Sequence, residues 1–142
     1  MGTAREIMHT GAESVRHDET LAAAAAKMRD LHIGALPIRG AGDQLQGIIT
    51  DRDIVVRCVA EGHDPQTTAA QDMVHGSPIS VNAGSDIGDV LRTMEQYKIR
   101  RLPVVENDRL VGMISEADVA THLGEHEVGE FASAVYSAPP NN

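Results

Sequence analysis

Apolar side chains recur along this chain with two alternating periods. Leu21, Ala24, Ala25 and Met28 stand at i, i+3, i+4 and i+7, and Ile87, Val90, Leu91 and Met94 repeat that spacing. This is the buried stripe of an amphipathic helix, so a helix is predicted over each stretch. An apolar run too short for a helix follows each: Ala35-Leu36-Pro37-Ile38 and Leu102-Pro103-Val104-Val105. The proline points to an edge strand or a strand start, because it brings no N–H to a ladder. A Gly/Asn/Asp turn leads to a second run, Gly47-Ile48-Ile49 or Val111-Gly112-Met113-Ile114. Two runs about a turn predict a hairpin. A second helix is predicted from Asp51 and from Glu116, with Ile54, Val55, Cys58 and Val59 facing inward in the first copy. A short strand near Ser14-Val15, or Ile79-Ser80-Val81, precedes the first helix. The unit reads β-α-β-β-α, twice.

The duplication is also visible residue by residue. Met28, Ile33, Leu36 and Pro37 recur as Met94, Ile99, Leu102 and Pro103. After the turn Gly47, Thr50 and Asp53 recur as Gly112, Ser115 and Asp118. Even the openings agree, Thr3, Ala4 and Met8 with Thr68, Ala69 and Met73. This places repeat 1 over residues 3–59, a linker over 60–67 and repeat 2 over 68–123. The pattern breaks at Gly124; residues 124–142 are expected as a last helix (Glu125–Tyr136) and a frayed tail. A copy below ~60 residues buries too little surface to stand comfortably alone. The predicted fold class is therefore α+β, two pseudo-symmetric repeats packed sheet to sheet.

Composition narrows the function classes. The chain has 142 residues, 21 acidic against 12 basic, and a net charge of −9. Phosphate affinity of nucleic-acid binders comes from clustered Lys and Arg, so no nucleic-acid partner is expected. With 2% aromatics the stacking platforms of single-strand binders are missing too. No apolar run approaches the ~18 residues of a membrane span, so no membrane partner is expected. Charges stand where a signal peptide has its apolar segment, and Cys58 is the single cysteine. A cytoplasmic location follows as the default.

Both copies carry Gly-x-x-Thr/Ser-x-x-Asp at the end of the last strand, as Gly47, Thr50, Asp53 and Gly112, Ser115, Asp118. One reading is structural: a hydroxyl at N-cap and an acid three positions on form a capping box. The other is chemical. A hydroxyl and a carboxylate at a strand-to-helix junction can hydrogen-bond a ribose diol, while helix-start amides receive a phosphate. Both roles can share one site.

At this point the residues match a known family. The duplicated β-α-β-β-α unit, Ile-x-x-Leu-Pro before the hairpin and Gly-x-x-Thr/Ser-x-x-Asp after it resemble a tandem pair of CBS domains, a Bateman module. The whole chain is similar to the small stand-alone two-CBS proteins of actinobacteria, of the hypoxic-response type. The resemblance implies a non-enzymatic regulatory sensor that binds an adenosine-containing ligand, AMP, ADP or ATP, in clefts between the repeats, with no required cofactor. It implies ribose contacts from Thr50 with Asp53 and from Ser115 with Asp118. Backbone around Ala35–Pro37 and around Arg101, Leu102 and Pro103 would meet adenine. Arg100 and Arg101 match positions where the family often places a phosphate-binding cation; copy one has Gly34 and Ala35 there, so the clefts are expected to be unequal. With no aromatic near either motif, a bound base would lie between aliphatic side chains.

Rival readings are weaker. No nucleotide loop, nucleophile elbow or zinc-protease signature occurs, and Cys58 sits on an apolar helix face. No enzyme and no metal site is expected; His122 and His126 are four apart, but Gly124 interrupts them and spacing offers no third ligand. The alternative is a ligand-independent dimeric interaction or stress-response protein with degenerate clefts. In either reading a homodimer is expected, together with an unidentified protein partner.

Overall fold

The computed structural model describes residues 2–11 and 13–122. Its elements are α1 (Ala4–Ile7), β1 (Val15–Arg16), α2 (Leu21–Leu31), β2 (Ala35–Arg39), β3 (Leu45–Thr50) and α3 (Asp51–Asp53). A π-helical stretch, Ile54–Val59, prolongs α3, and a 3-10 turn covers Ala70–Met73. Then come β4 (Val81–Asn82), α4 (Ile87–Tyr97), β5 (Arg101–Glu106), β6 (Arg109–Ser115) and α5 (Glu116–Ala120). The described residues form two three-stranded sheets, ordered β1-β2-β3 and β4-β5-β6. In each, the short first strand runs parallel to the middle one and the hairpin is antiparallel. The fold is the predicted mixed α+β, built twice. The expected terminal helix lies outside the described residues.

The repeat in sequence and the compact unit in space divide the chain differently. Residues 13–78 form one unit, and residues 2–11 join residues 79–122 in the other. In the second of these, Ala4 and Arg5 N–H donate to Ser85 and Ala83 carbonyls at 2.8 and 3.0 Å, and Ala4 and Ile7 enter a core of Val90, Met94, Leu102, Val104 and Ile114. In the first, Leu21 N–H donates to Thr68 O at 2.9 Å and Ala70 N–H to Glu19 O at 2.8 Å. Ala70 there joins Leu21, Ala24, Leu36, Ile38 and Ile49. Residues 2–11, the opening of the first repeat, thus complete the unit of the second repeat's sheet, and the opening of the second completes the first.

Local chemistry explains the elements. Thr20 Oγ1 accepts Ala23 N–H at 3.1 Å and Asp86 caps Asp89 N–H at 2.8 Å, so both long helices have N-terminal caps. They bury Leu21, Ala24 and Met28, and Ile87, Val90 and Met94, three of four predicted stripe positions in each. Ala25 is exposed and Leu91 half-buried, on the solvent edge of the stripe.

Two expectations are corrected. Pro37 and Pro103 stand inside the middle strand of each sheet, not at an edge or a start. They are tolerated because β1 and β4 are two residues long and pair only beyond the proline, at Ile38–Arg39 and Val104–Val105. Among the described residues no strand pairs with the proline on that side. Second, Val55 and Val59 do not face inward. Ile54 and Cys58 are buried, while Val55 and Val59, each one residue further round the helical turn, are 58% and 56% exposed.

One ion pair ties α1 to its unit. Arg5 Nη2 donates to Glu106 Oε1 at 2.5 Å. The guanidinium hydrogen bond and charge hold the Glu106 carboxyl below the usual carboxylate range and push Arg5 up. Because the folded carboxyl titrates below the unfolded one, its contribution is complete above the ordinary carboxylate range and fades as pH falls through the folded value. Both groups are half exposed, so the effect is small. Wild type should be slightly more resistant to thermal unfolding than Glu106→Gln near neutral pH. That gap should close on acidification.

Candidate functional site

Each sheet ends in a hydroxyl that starts a helix. Thr50 and Ser115 keep extended backbone (φ −114, ψ 160 and φ −103, ψ 165) while the chain behind them turns helical. Thr50 Oγ1 accepts Asp53 N–H at 3.0 Å, and Asp53 Oδ2 accepts Thr50 N–H at 3.0 Å. In the other unit Ser115 Oγ accepts Asp118 N–H at 3.3 Å, and Asp118 Oδ2 accepts Ser115 N–H at 2.8 Å and Ser115 Oγ–H at 2.9 Å. Both are reciprocal capping boxes, so the structural role read from the motif is present. Each box uses only one carboxylate oxygen.

The second oxygen differs between the units. Asp118 Oδ1 lies 2.6 Å from Nε2 of His9. Asp53 Oδ1 faces Arg57 Nη1 at 3.7 Å, an ion pair beyond hydrogen-bond reach. Arg57 Nη1 also donates to Met73 O at 3.0 Å. Beside this pair is a cavity of about 160 Å³ lined by Gln46, Gly47, Asp53, Arg57, Val74 and His75, among others. That is roughly half the ~300 Å³ at which small-ligand clefts usually begin, so it accommodates a part of a nucleotide rather than the whole. Its polar groups are complementary ones: a carboxylate to accept from hydroxyls, and a guanidinium and an imidazole to face an anion.

The remaining expected residues cluster at the same junctions. Ala35 is the cross-strand partner of Thr50, and Arg101 that of Ser115. Asp51 N–H donates to Gly34 O and Glu116 N–H to Arg100 O, both at 2.9 Å. Arg100 and Arg101 are half-buried beside the second capping box. Pro37 and Pro103 are buried, and Leu102 lies in the core with no exposed surface, so the expected base contact at Leu102 is corrected: neither its side chain nor its backbone is open to a ligand. Three residues were not found from the sequence: His9, Arg57 and His75. Arg57 stands at i+4 from Asp53, a spacing that could have flagged it. His9 carried no such signal, being 109 positions from Asp118. Among the described residues no three His, Cys, Asp or Glu side chains converge as a metal site, and His126 lies outside them.

The model of the CBS domain family matches residues 4–59 and 70–125. The chain belongs to the CBS domain family. Hypoxic response protein 1 of Mycobacterium tuberculosis is 47% identical over 137 residues, 96% of each chain. A CBS domain-containing protein of Bacillus subtilis is 34% identical over 127 residues, 89% of each. Among solved structures, Hypoxic Response Protein I with two coordinated zinc ions superposes with a TM-score of 0.80 at 46% identity, covering 87% of this chain and 100% of that one. The CBS protein CBSX2, solved in complex with AMP, superposes with a TM-score of 0.74 at 20% identity, covering 86% and 96%. At that identity the second likeness shows the fold alone. Among the described residues no helix is long and apolar enough to cross a membrane.

Proposed function

We propose that this protein is a non-enzymatic regulatory CBS pair that senses an adenosine nucleotide in the cytoplasm. The observation that carries the reading is the cavity where Asp53 presents a loosely paired carboxylate oxygen beside Arg57 and His75. Asp53 with Thr50, and Asp118 with Ser115, would hold the ribose. The backbone at the start of each middle strand, Gly34–Ala35 and Arg100–Arg101, would meet the base. Arg57 and His75 in the first cleft, and Arg100 and Arg101 in the second, would face phosphate; on a chain of net charge −9, binding an anion calls for local cations. The AMP held by the CBS-fold protein CBSX2 supports the ligand class, and the name of the mycobacterial relative supports a place in a hypoxic response. Titration calorimetry with AMP, ADP and ATP at millimolar ligand tests it: saturable heat is expected with at least one, and none with all three would sink it.

A second reading, a ligand-blind dimeric interaction protein, is favoured by one feature. Val55, Val56 and Val59 expose 58%, 42% and 56% of their surface on one short helical stretch, an apolar face suited to a second copy of this chain. Sedimentation with and without nucleotide separates the two. A sensor is expected as a dimer whose partner binding responds to ligand; an unresponsive dimer fits the second reading.

A further inference from the structure

We propose that His9 is the residue that makes the two clefts unequal: it occupies, in the second cleft, the carboxylate oxygen that the first leaves available to a ribose diol. The inference rests on the nucleotide reading above and concerns the regulation of those same clefts. Asp118 has both oxygens engaged. Oδ2 accepts from Ser115 N–H and Oγ–H, and Oδ1 pairs with His9 Nε2 at 2.6 Å. A diol that approaches Asp118 must first displace the imidazole. Asp53 carries the same cap on Oδ2, but its Oδ1 has Arg57 at 3.7 Å, a distance that leaves room for hydroxyl donors.

The asymmetry is written into the two opening segments. Aligned on Met8 and Met73, His9 corresponds to Val74. Val74 packs by its methyl groups against the Gly47 position and offers nothing to a carboxylate. His9 is held differently. Its backbone forms two hydrogen bonds with Met113, His9 N–H to Met113 O at 2.8 Å and Met113 N–H to His9 O at 3.1 Å. Its side chain is 71% exposed, whereas that of Asp118 is 13% exposed. The backbone is therefore a fixed pivot, and the ring can swing into water without opening the core. Nothing else in the unit has to move. His9 is a latch, not a ligand contact: the first cleft fills first, and the second fills only as the ring leaves.

The test is a titration of the full chain with AMP followed by two-dimensional amide NMR, the Thr50 and Asp53 amides reporting the first cleft and the Ser115 and Asp118 amides the second. His9→Ala is expected to fold normally, since it removes an exposed ring and keeps both backbone bonds. It should tighten AMP binding at the second cleft by about tenfold, the worth of one charge-assisted hydrogen bond, and leave the first cleft unchanged. The gain should vanish with 2′-deoxy-AMP, which lacks half of the diol; a variant that merely opened space would gain with both. Equal AMP affinity at the second cleft in wild type and His9→Ala overturns the latch and leaves the nucleotide reading standing. An equal gain with the deoxynucleotide overturns the latch as well. Absence of AMP shifts at both clefts in both proteins overturns the reading and the latch together. AMP binding at the second cleft only after His9 is removed supports both.

Discussion

Asp53→Ala should lower the AMP affinity of the first cleft by about tenfold to a hundredfold, the worth of one charge-assisted hydrogen bond lost from a bound diol. The effect is large because, among the described residues, Asp53 alone lines that cavity with a carboxylate, and Arg57 would lose its ion-pair partner with it. The same substitution removes half of a capping box, which costs stability at the start of α3, so binding and folding must be read separately. Asp53→Asn is the useful companion. Its amide oxygen can still accept Thr50 N–H, so the cap survives while the charge is gone. Calorimetry of both variants, with urea unfolding in parallel, checks the expectation. If Asp53→Asn binds AMP as wild type does, the carboxylate acts only as a cap, and the ligand, if bound, is held elsewhere.

Gly112→Ala should destabilise its unit by about 1–3 kcal/mol, the usual cost of forcing an extra methyl into a packed site. A Cβ there would lie 2.9 Å from the backbone oxygen of His9 and 2.5 Å from Met8 Sδ. The methionine can move, but the His9 carbonyl is pinned by its bond from Met113 N–H. The opening segment would have to lift, and the His9 contact to Asp118 would go with it. The matching glycine of the first repeat is a built-in control. At Gly47 the nearest atoms are Val74 methyl carbons at 3.4 and 3.6 Å, ordinary contact or close to it. Gly47→Ala should therefore be near neutral, because alanine also relieves the entropic cost of glycine in a strand. Urea unfolding of the two variants checks the contrast; equal destabilisation would mean that the glycines serve strand geometry alone.

The capping carboxylate and the glycine contact depend on the chain over very different ranges. Helix stripes, hairpins and capping boxes are short-range. Leu21, Ala24 and Met28 share a face because of a 3.6-residue turn, and Thr50 meets Asp53 because three helical positions bring them together. Such features follow from a few neighbouring residues, and the self-match of the chain multiplied the signal by two. The prolines depart from the edge position that their chemistry predicts for a tertiary reason. Whether a strand is an edge depends on the length of its neighbour, and β1 and β4 are only two residues long. Periodicity predicts Val55 and Val59 inward because it gives a stripe without its width; only the packing of Ile54 and Cys58 shows where the core ends.

The family, the doubled α+β unit and the strand-to-helix carboxylates were thus contained in the amino-acid order, because each depends on spacing within a few turns of chain. The exchange of opening segments was not. Closing a long loop costs little more than closing a short one, so nearness along the chain does not choose which sheet residues 2–11 complete. The chemistry of the candidate site hangs on that choice. It brings His9 to Asp118 across 109 positions and sets Val74 against Gly47, making two nearly identical motifs into one engaged carboxylate and one loosely paired.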